Sequence, residues 1–327
     1  MIAKAPSAQK PNDKQKSLLD APDLMFVQDG FRTGLPAGSD IEWRLRGVVH
    51  DTLSHPGSLA RAQLAFALLT TYGFTSEQAR DTGVAIEYFH TASLLFDDLP
   101  CMDNADTRRG HACPHAVYGE SPAILGALSL ITQAYAMLWR VIGSLPAPAR
   151  EAAGDLVSEC LGLQGILNGQ AHDLFFRESD RAKSDVLRVA EGKTVTLIRL
   201  TLLLPARMAG LPKASLDVYE SLARAWGLAY QILDDFKDLL MSEADTGKTA
   251  GRDSALEHPN LPAVMGAAAA LSELDRHLDR SRRDLDALRD AGFGVPALGR
   301  LQGLLEGERE RIAALMSRAN GATIPVL

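Results

Sequence analysis

Positive charge is in short supply in this chain. Its 327 residues carry 34 lysines and arginines against 41 aspartates and glutamates, a formal net charge of -7. A nucleic-acid binder needs a basic stripe, so no nucleic-acid partner is expected. Cysteine is scarcer still. Three residues, odd in number and without framework spacing, exclude a disulfide scaffold and suit a reducing cytoplasm. Long apolar runs are also missing: the stretch Leu197–Pro205 is interrupted by Arg199 and stopped by Pro205, well short of a membrane span. The first 16 residues are polar, rich in Lys, Pro and Ser, and lack the apolar core of a secretory signal. They predict a flexible tail over residues 1–22 ahead of a domain over 23–327, and a cytoplasmic protein. Hydrophobic residues make up 46%, enough for a sizeable core and too many for wholesale disorder.

What the chain has in abundance is helical pattern. Alternating β-branched runs are scarce, and Ala, Leu, Arg and Glu dominate. Thr75 and Gln78 fit a capping box opening a helix that runs to about Asp98, where Pro100 stops it. A second long helix is expected over Ser215–Leu240. The segment Ser272–Asp290 is charge-laced at helical spacing and reads as a solvated helix face. Breaks near Gly143–Pro148, Gly210–Pro212 and Asp245–Pro262 read as loops between helices. No fixed-period repeat and no Pro/Gly-rich linker divides the chain, so the fold class is all-α in a single domain.

Two acidic segments carry the chemistry. Leu94–Gly110 reads LLFDDLPCMDNADTRRG, an apolar run leading into four aspartates and two arginines. His90 and Ser93 precede Asp97 by seven and four residues and share its helix face. Titratable groups on the face of core residues suggest a cavity lining. Tyr230–Asp238 reads YQILDDFKD, with Gln231, Asp234, Asp235 and Asp238 in one helical stripe. Ile232, Leu233, Phe236 and Leu239 fall on the other sides and are expected to be buried. Three carboxylates along an apolar helix repel one another severely without a cation. Hard oxygen donors in that number suit Mg²⁺, which keeps waters and takes substrate phosphate oxygens as its other ligands. Two such stripes facing each other, with arginines beside them, form a clamp for a Mg²⁺-diphosphate. Cys101, His111, Cys113 and His115 match no common zinc spacing.

The two motifs, their order and their separation resemble the trans-isoprenyl diphosphate synthases, most of all bacterial geranylgeranyl diphosphate synthases. Supporting matches are the arginine pair Arg108-Arg109 followed by Gly110, Tyr118-Gly119-Glu120, Gly169-Gln170 with Asp173, Lys193-Thr194, and Gly247-Lys248. The resemblance implies a bundle of long helices around a central cavity, working as a homodimer. It implies condensation of an allylic prenyl diphosphate with isopentenyl diphosphate to a C15–C20 product, most of all geranylgeranyl diphosphate. Asp97, Asp103 and Asp234 would bind Mg²⁺ directly, with Asp98, Asp235 and Asp238 as further ligands or supports. Lys193, Thr194, Arg108, Gln231 and Lys248 would hold the allylic diphosphate, and Arg61, His90 and Arg109 the second substrate.

The chain also departs from the family pattern. Ser58 stands where a lysine usually contacts isopentenyl diphosphate, His111-Ala112-Cys113-Pro114 follows the arginine pair, and His258-Pro259-Asn260 replaces a Lys-x-Thr near the lid. The carboxylates survive while cations are thinned. Two other readings therefore stand beside the first: a terpene synthase-like enzyme that ionises a single prenyl diphosphate, and a non-catalytic partner subunit of a prenyl synthase. For product length, Ser93 lies one turn below Asp97 and Phe89 two turns below, about 12 Å along the axis. Small Ala92 and Ser93 leave the first turn open, and bulky Phe89 either closes the second or packs into the core away from the channel.

Overall fold

The computed structural model describes residues 17–240 and 259–321. Among them the chain forms α1 (Ala21–Thr33), α2 (Trp43–Ser54), α3 (Ala60–Thr71), α4 (Ser76–Asp97), α5 (Pro114–Tyr118), α6 (Glu120–Ile142) and α7 (Ala147–Leu161). It continues with α8 (Ile166–Leu174), α9 (Lys183–Ala190), a π-helical turn (Glu191–Val195), α10 (Thr196–Met208), α11 (Lys213–Leu240), α12 (Leu261–Met265), α13 (Ala267–Asp290) and α14 (Pro296–Gly321). The only strands among the described residues are β1 (Thr107–Arg108) and β2 (His111–Ala112), an antiparallel pair. Their two-residue turn is Arg109-Gly110, both left-handed at φ 55° and 79°. The Asp29-Gly30 and Asn168-Gly169 dipeptides, hairpin signals in isolation, lie inside α1 and α8 instead.

The centre of the bundle is α4. Its capping box forms as expected: the Thr75 hydroxyl accepts from the Gln78 N–H, and the Gln78 side chain accepts from the Thr75 N–H. The helix ends at Asp97, three residues before Pro100. Val84, Ile86, Tyr88, Phe89, Ala92 and Leu95 are buried at positions all around its axis, so it needs neighbours on every side. It packs against α3, α6, α1 and α10. At Gly83 the α3 backbone comes so close that a Cβ would lie 2.6 Å from the Ala62 carbonyl oxygen. Fully burying a side chain such as Leu is worth roughly 1.5–3 kcal/mol, and the core is rich in them: Leu68, Leu69, Leu200 and Leu204 are all sealed.

The second long helix, α11, starts two residues before the expected Ser215 and packs on α10, α13 and α14. Ile232, Leu233 and Phe236 are buried as expected, but Leu239 is 42% exposed because it sits in the last turn, beyond the packed part of the helix. α13 is not simply a solvated face: Glu273, Ser281 and Asp284 are buried, and Asp284 accepts a 2.6 Å hydrogen bond from Ser221 of α11. The loops at 143–146 and 209–212 fall where expected, whereas most of 245–262 lies outside the described residues. The expected tail boundary at residue 22 is corrected. Leu18 is 1% exposed, its N–H donates to the Gln63 side chain, and α1 opens at Ala21.

Among the described helices, α6 is the one long and apolar enough by length and composition to cross a membrane, a test that a core helix also passes, and part of it is buried inside the bundle. One of its faces is buried in the bundle, while Ile124, Leu125, Leu128 and Trp139 line its outer face. Removing the α4 cap should show how much the central helix depends on its start. Thr75→Ala is expected to cost about 1 kcal/mol and to lower the melting temperature by roughly 2–4 °C, measured by thermal circular dichroism.

Candidate active site

A cavity of about 690 Å³ runs down the inner face of α4. At its head, Asp97 and Asp103 stand opposite Asp234 and Asp238 of α11, with Lys193, Thr194, Gln231 and Arg108 among the same lining. Arg61, His90 and Arg109 also face it. Toward its foot the wall turns apolar, with Phe89 and Ser93 of α4, Ile131 and Tyr135 of α6, and Leu161, Ile166 and Leu167 beyond.

The backbone that delivers Lys193 and Thr194 is unusual. Residues 191–195 form a π-helical turn, a local widening found mostly at functional sites. Glycines clamp it from both sides. A Cβ on Gly169 of α8 would lie 2.2 Å from the Gly192 carbonyl carbon, and one on Gly227 of α11 would lie 2.8 Å from the Val195 Cα. Only glycine admits backbones this close. The contact sets the Lys193 ammonium 2.6 Å from Asp173 of α8 and 3.5 Å from Asp97. Thr194 donates a 2.6 Å hydrogen bond to the Gln231 carbonyl on α11.

Burial then acts on each charge. It pushes the Asp97 carboxyl up to about 6; Lys193 pulls it down and Asp103 adds to the rise. Burial also opposes the charge on Lys193, but Asp97, Asp173 and Asp103 outweigh it and hold the ammonium above its usual range. His90 is held well below the usual imidazole range by burial and by the guanidinium groups of Arg61, Arg109 and Arg108, so it is neutral at pH 7 and offers a hydrogen bond instead of a charge. Arg61, Arg109 and His90 form a second, cationic region of the same cavity.

Three expected site residues do not face the cavity. Asp98 is 2% exposed and receives the Arg108 guanidinium, Nε at 2.8 and 2.9 Å from its two oxygens and Nη2 at 2.6 Å. It aims Arg108 and is turned away from the cavity. Asp235 turns the other way, accepting the Leu261 N–H at 2.8 Å and the Gln231 side-chain amide at 2.8 Å. It ties α12 to α11 and orients Gln231, and burial pushes its carboxyl up to about 7. A stripe at i, i+3, i+4, i+7 is wide enough for its i+4 member to reach a neighbouring helix instead. Ala92 has no exposed surface and packs in the core, not in the channel. Ser58 is exposed, and only its carbonyl is engaged, by Gln63. Lys248 and His258 lie outside the described residues, while Pro259 lines the cavity and Asn260 caps α12 through the Ala263 N–H.

Sequence reasoning left the foot of the channel almost unassigned. Tyr135, Ile131, Leu167 and Val189 line it, yet an apolar residue facing a channel has the same spacing as one facing the core. Asp173 and Gln170 had a signal, the Gly169-Gln170 match, without a role. The Gln170 amide nitrogen is buried at the cavity and has no hydrogen-bond partner among the described residues.

The donor set fits Mg²⁺ completed by a ligand. Among the described residues no three carboxylates, imidazoles or thiolates converge closely enough to hold an ion unaided. Two hard carboxylates on each side of one cavity match an ion that takes the rest of its shell from waters and phosphate oxygens. Burial is the main cause of the raised Asp97 carboxyl, and the neighbouring Asp103 and Asp173 add to it.

A pH test follows. With folded-state values near 6 and 7, against an ordinary value of 3.8, Asp97 and Asp235 bind more protons folded than unfolded between about pH 4 and 7. Stability of the metal-free protein should therefore fall as pH rises through that window. Asp97→Asn is expected to raise the metal-free melting temperature at pH 8, by up to roughly 3 kcal/mol of stability, with the gain vanishing near pH 4. No gain at pH 8 would mean that Asp97 carries no burial cost.

The polyprenyl synthetase family model matches residues 42–291. The chain is 29% identical over 238 residues to the farnesyl diphosphate synthase of Bacillus subtilis, covering 72% of this chain and 80% of that one. It is 32% identical over 273 residues to geranylgeranyl pyrophosphate synthase 3 of Arabidopsis thaliana, covering 81% and 69%. Its fold superposes on a geranyltransferase of Helicobacter pylori complexed with magnesium and isoprenyl diphosphate, with a TM-score of 0.73 at 24% identity over 93% of this chain and 99% of the other. The geranyltranstransferase of Thermotoga maritima gives 0.69 at 26% identity over 89% and 97%. With the carboxylate-headed cavity and these matches together, the chain belongs to the polyprenyl synthetase family.

Proposed function

We propose that this protein is a Mg²⁺-dependent trans-prenyltransferase that condenses an allylic diphosphate with isopentenyl diphosphate and releases geranylgeranyl diphosphate. The observation that carries the reading is the pairing, in one cavity, of a carboxylate-rich head with a second cationic pocket, above an apolar channel. Bound between Asp97, Asp103, Asp234 and Asp238, Mg²⁺ would supply the charge that draws off the allylic diphosphate. Lys193, Thr194, Gln231 and Arg108 hold that diphosphate, with Lys193 and Arg108 opposing the charge that develops on it. Arg61, His90 and Arg109 hold the second diphosphate so that its double bond meets the allylic carbon. No side-chain base stands out for the final proton, which leaves the released diphosphate to take it.

The second pocket favours condensation over the single-substrate, terpene synthase-like reading, and intact carboxylates at the cavity weigh against a non-catalytic partner. The three thiols are all unbridged, in keeping with a cytoplasmic enzyme. Length control belongs to Phe89, whose ring meets Tyr135 edge-on at 4.8 Å across the channel. Incubation with Mg²⁺, isopentenyl diphosphate and each allylic diphosphate, read by mass spectrometry, is expected to give the C20 product. Phe89→Ala and Tyr135→Ala should lengthen it and Ser93→Phe shorten it. Turnover without incorporation of isopentenyl diphosphate would hand the reading to the single-substrate enzyme.

The outer face of α6 is the proposed homodimer contact. Trp139 is 71% exposed, and Leu125 and Leu128 continue the same stripe, an apolar surface of the kind that marks an interface. Leu128→Arg combined with Trp139→Glu should convert the protein from dimer to monomer in light scattering. An unchanged mass would remove α6 from the interface.

A further inference from the structure

Behind the second cationic pocket lies a carboxylate that no step above uses. Glu87, one turn before His90 on α4, is 4% exposed and lies between elements that the pocket depends on. The helix in front of it, α3, has an abnormal start. Its N-cap is Leu59, left-handed at φ 52°, and offers no side-chain acceptor to the first N–H groups. Glu87 supplies that acceptor from another helix: its Oε2 takes the Ala62 N–H at 3.1 Å, and the Arg61 N–H also points to it. Arg61, the pocket's first cation, thus has its backbone held by the same carboxylate that faces its guanidinium.

Arg109, the pocket's second cation, comes from the hairpin turn. Its backbone is left-handed and its guanidinium packs on Gly57, where a Cβ would lie 2.5 Å from Nη2. Burial raises the Glu87 carboxyl, and both guanidinium groups, within electrostatic reach and not in direct ion pairs with it, pull it back down. The nearby Arg61 Nε is buried without a hydrogen-bond partner among the described residues, so Arg61 has few other restraints. Two like charges brought together in a half-buried pocket repel, and a carboxylate placed behind them offsets that repulsion.

We propose that Glu87 is a positioning residue of the isopentenyl diphosphate pocket: it caps α3 in trans and holds the Arg61 and Arg109 guanidinium groups in register for one diphosphate. The proposal rests on the reading of the second pocket given above. It also makes the capping and the substrate contact one structural unit, since moving Glu87 moves the start of α3, Arg61 and Arg109 together.

Glu87→Gln is the discriminating variant, because it keeps an oxygen for the α3 N–H groups while removing the charge. Isopentenyl diphosphate is titrated calorimetrically into wild type and variant, with Mg²⁺-pyrophosphate titrated separately as a probe of the carboxylate site. The expected result is a Kd for isopentenyl diphosphate weakened on the order of tenfold or more, with Mg²⁺-pyrophosphate affinity and melting temperature nearly unchanged. In turnover the same variant raises KM for isopentenyl diphosphate and leaves KM for the allylic substrate alone. An unchanged or tighter Kd overturns the proposal, the tighter value meaning that Glu87 merely attenuates the arginines. Should Glu87→Gln not fold, Glu87→Asp, which withdraws the carboxylate by one methylene, carries the test with the same expected split. A wild-type protein that fails to bind isopentenyl diphosphate at all overturns the second pocket itself, and Glu87's role with it.

Discussion

The cavity depends on backbones that touch. Where Gly169 meets Gly192, and Gly227 meets Val195, three elements approach to within side-chain-free contact, and the chain between them widens into a π turn. That turn puts Lys193 among three carboxylates and Thr194 against Gln231. Carboxylates in an apolar bundle are costly unless cations are held beside them, so the geometry of two glycine contacts decides whether the charges cohere or repel. The rest of the site is arranged around this point: α11 brings Asp234 and Asp238 to it, and α4 brings Asp97.

α4 does three jobs on three faces. Gly83 and the residues around it lock it to α3, Tyr88 and Ala92 fill the core, and His90, Ser93 and Asp97 line the cavity. Because one rigid helix carries both Phe89 and Asp97, their separation along the cavity wall is set by helical rise and not by loop conformation. The supporting carboxylates behave similarly. Asp98, Asp235 and Glu87 sit behind the residues that face the ligand, each satisfied by a guanidinium, an amide or a backbone N–H, and so convert buried charge into fixed direction.

Much of this was legible beforehand. The capping box at Thr75, the Pro100 stop and the period of α11 locate the two principal helices because each rests on local chemistry. The carboxylates were legible because charged residues in an apolar stripe have few uses. What escaped was direction. Asp97 and Asp98 are neighbours in sequence with opposite fates, one toward the cavity and one toward Arg108, and adjacent helix positions differ by about 100° without saying which side is hollow. Ala92 was misplaced for the same reason: small size suits a channel wall and a tight helix crossing equally. The π turn had no local signal, since it arises from glycines on two other helices. Glu87 was silent because a lone acid in an apolar run reads as a surface residue until its partner, the bare start of α3, is seen beside it.

The self-repelling head of the cavity has a consequence outside catalysis. Any ligand that binds only the folded chain adds stability as RT ln(1 + [L]/Kd), about 2.7 kcal/mol at a hundredfold excess over Kd. A site whose empty form is penalised by its own charge gains the most from being filled. A chain whose cavity is filled would then open less often and outlast an empty one among cellular proteases.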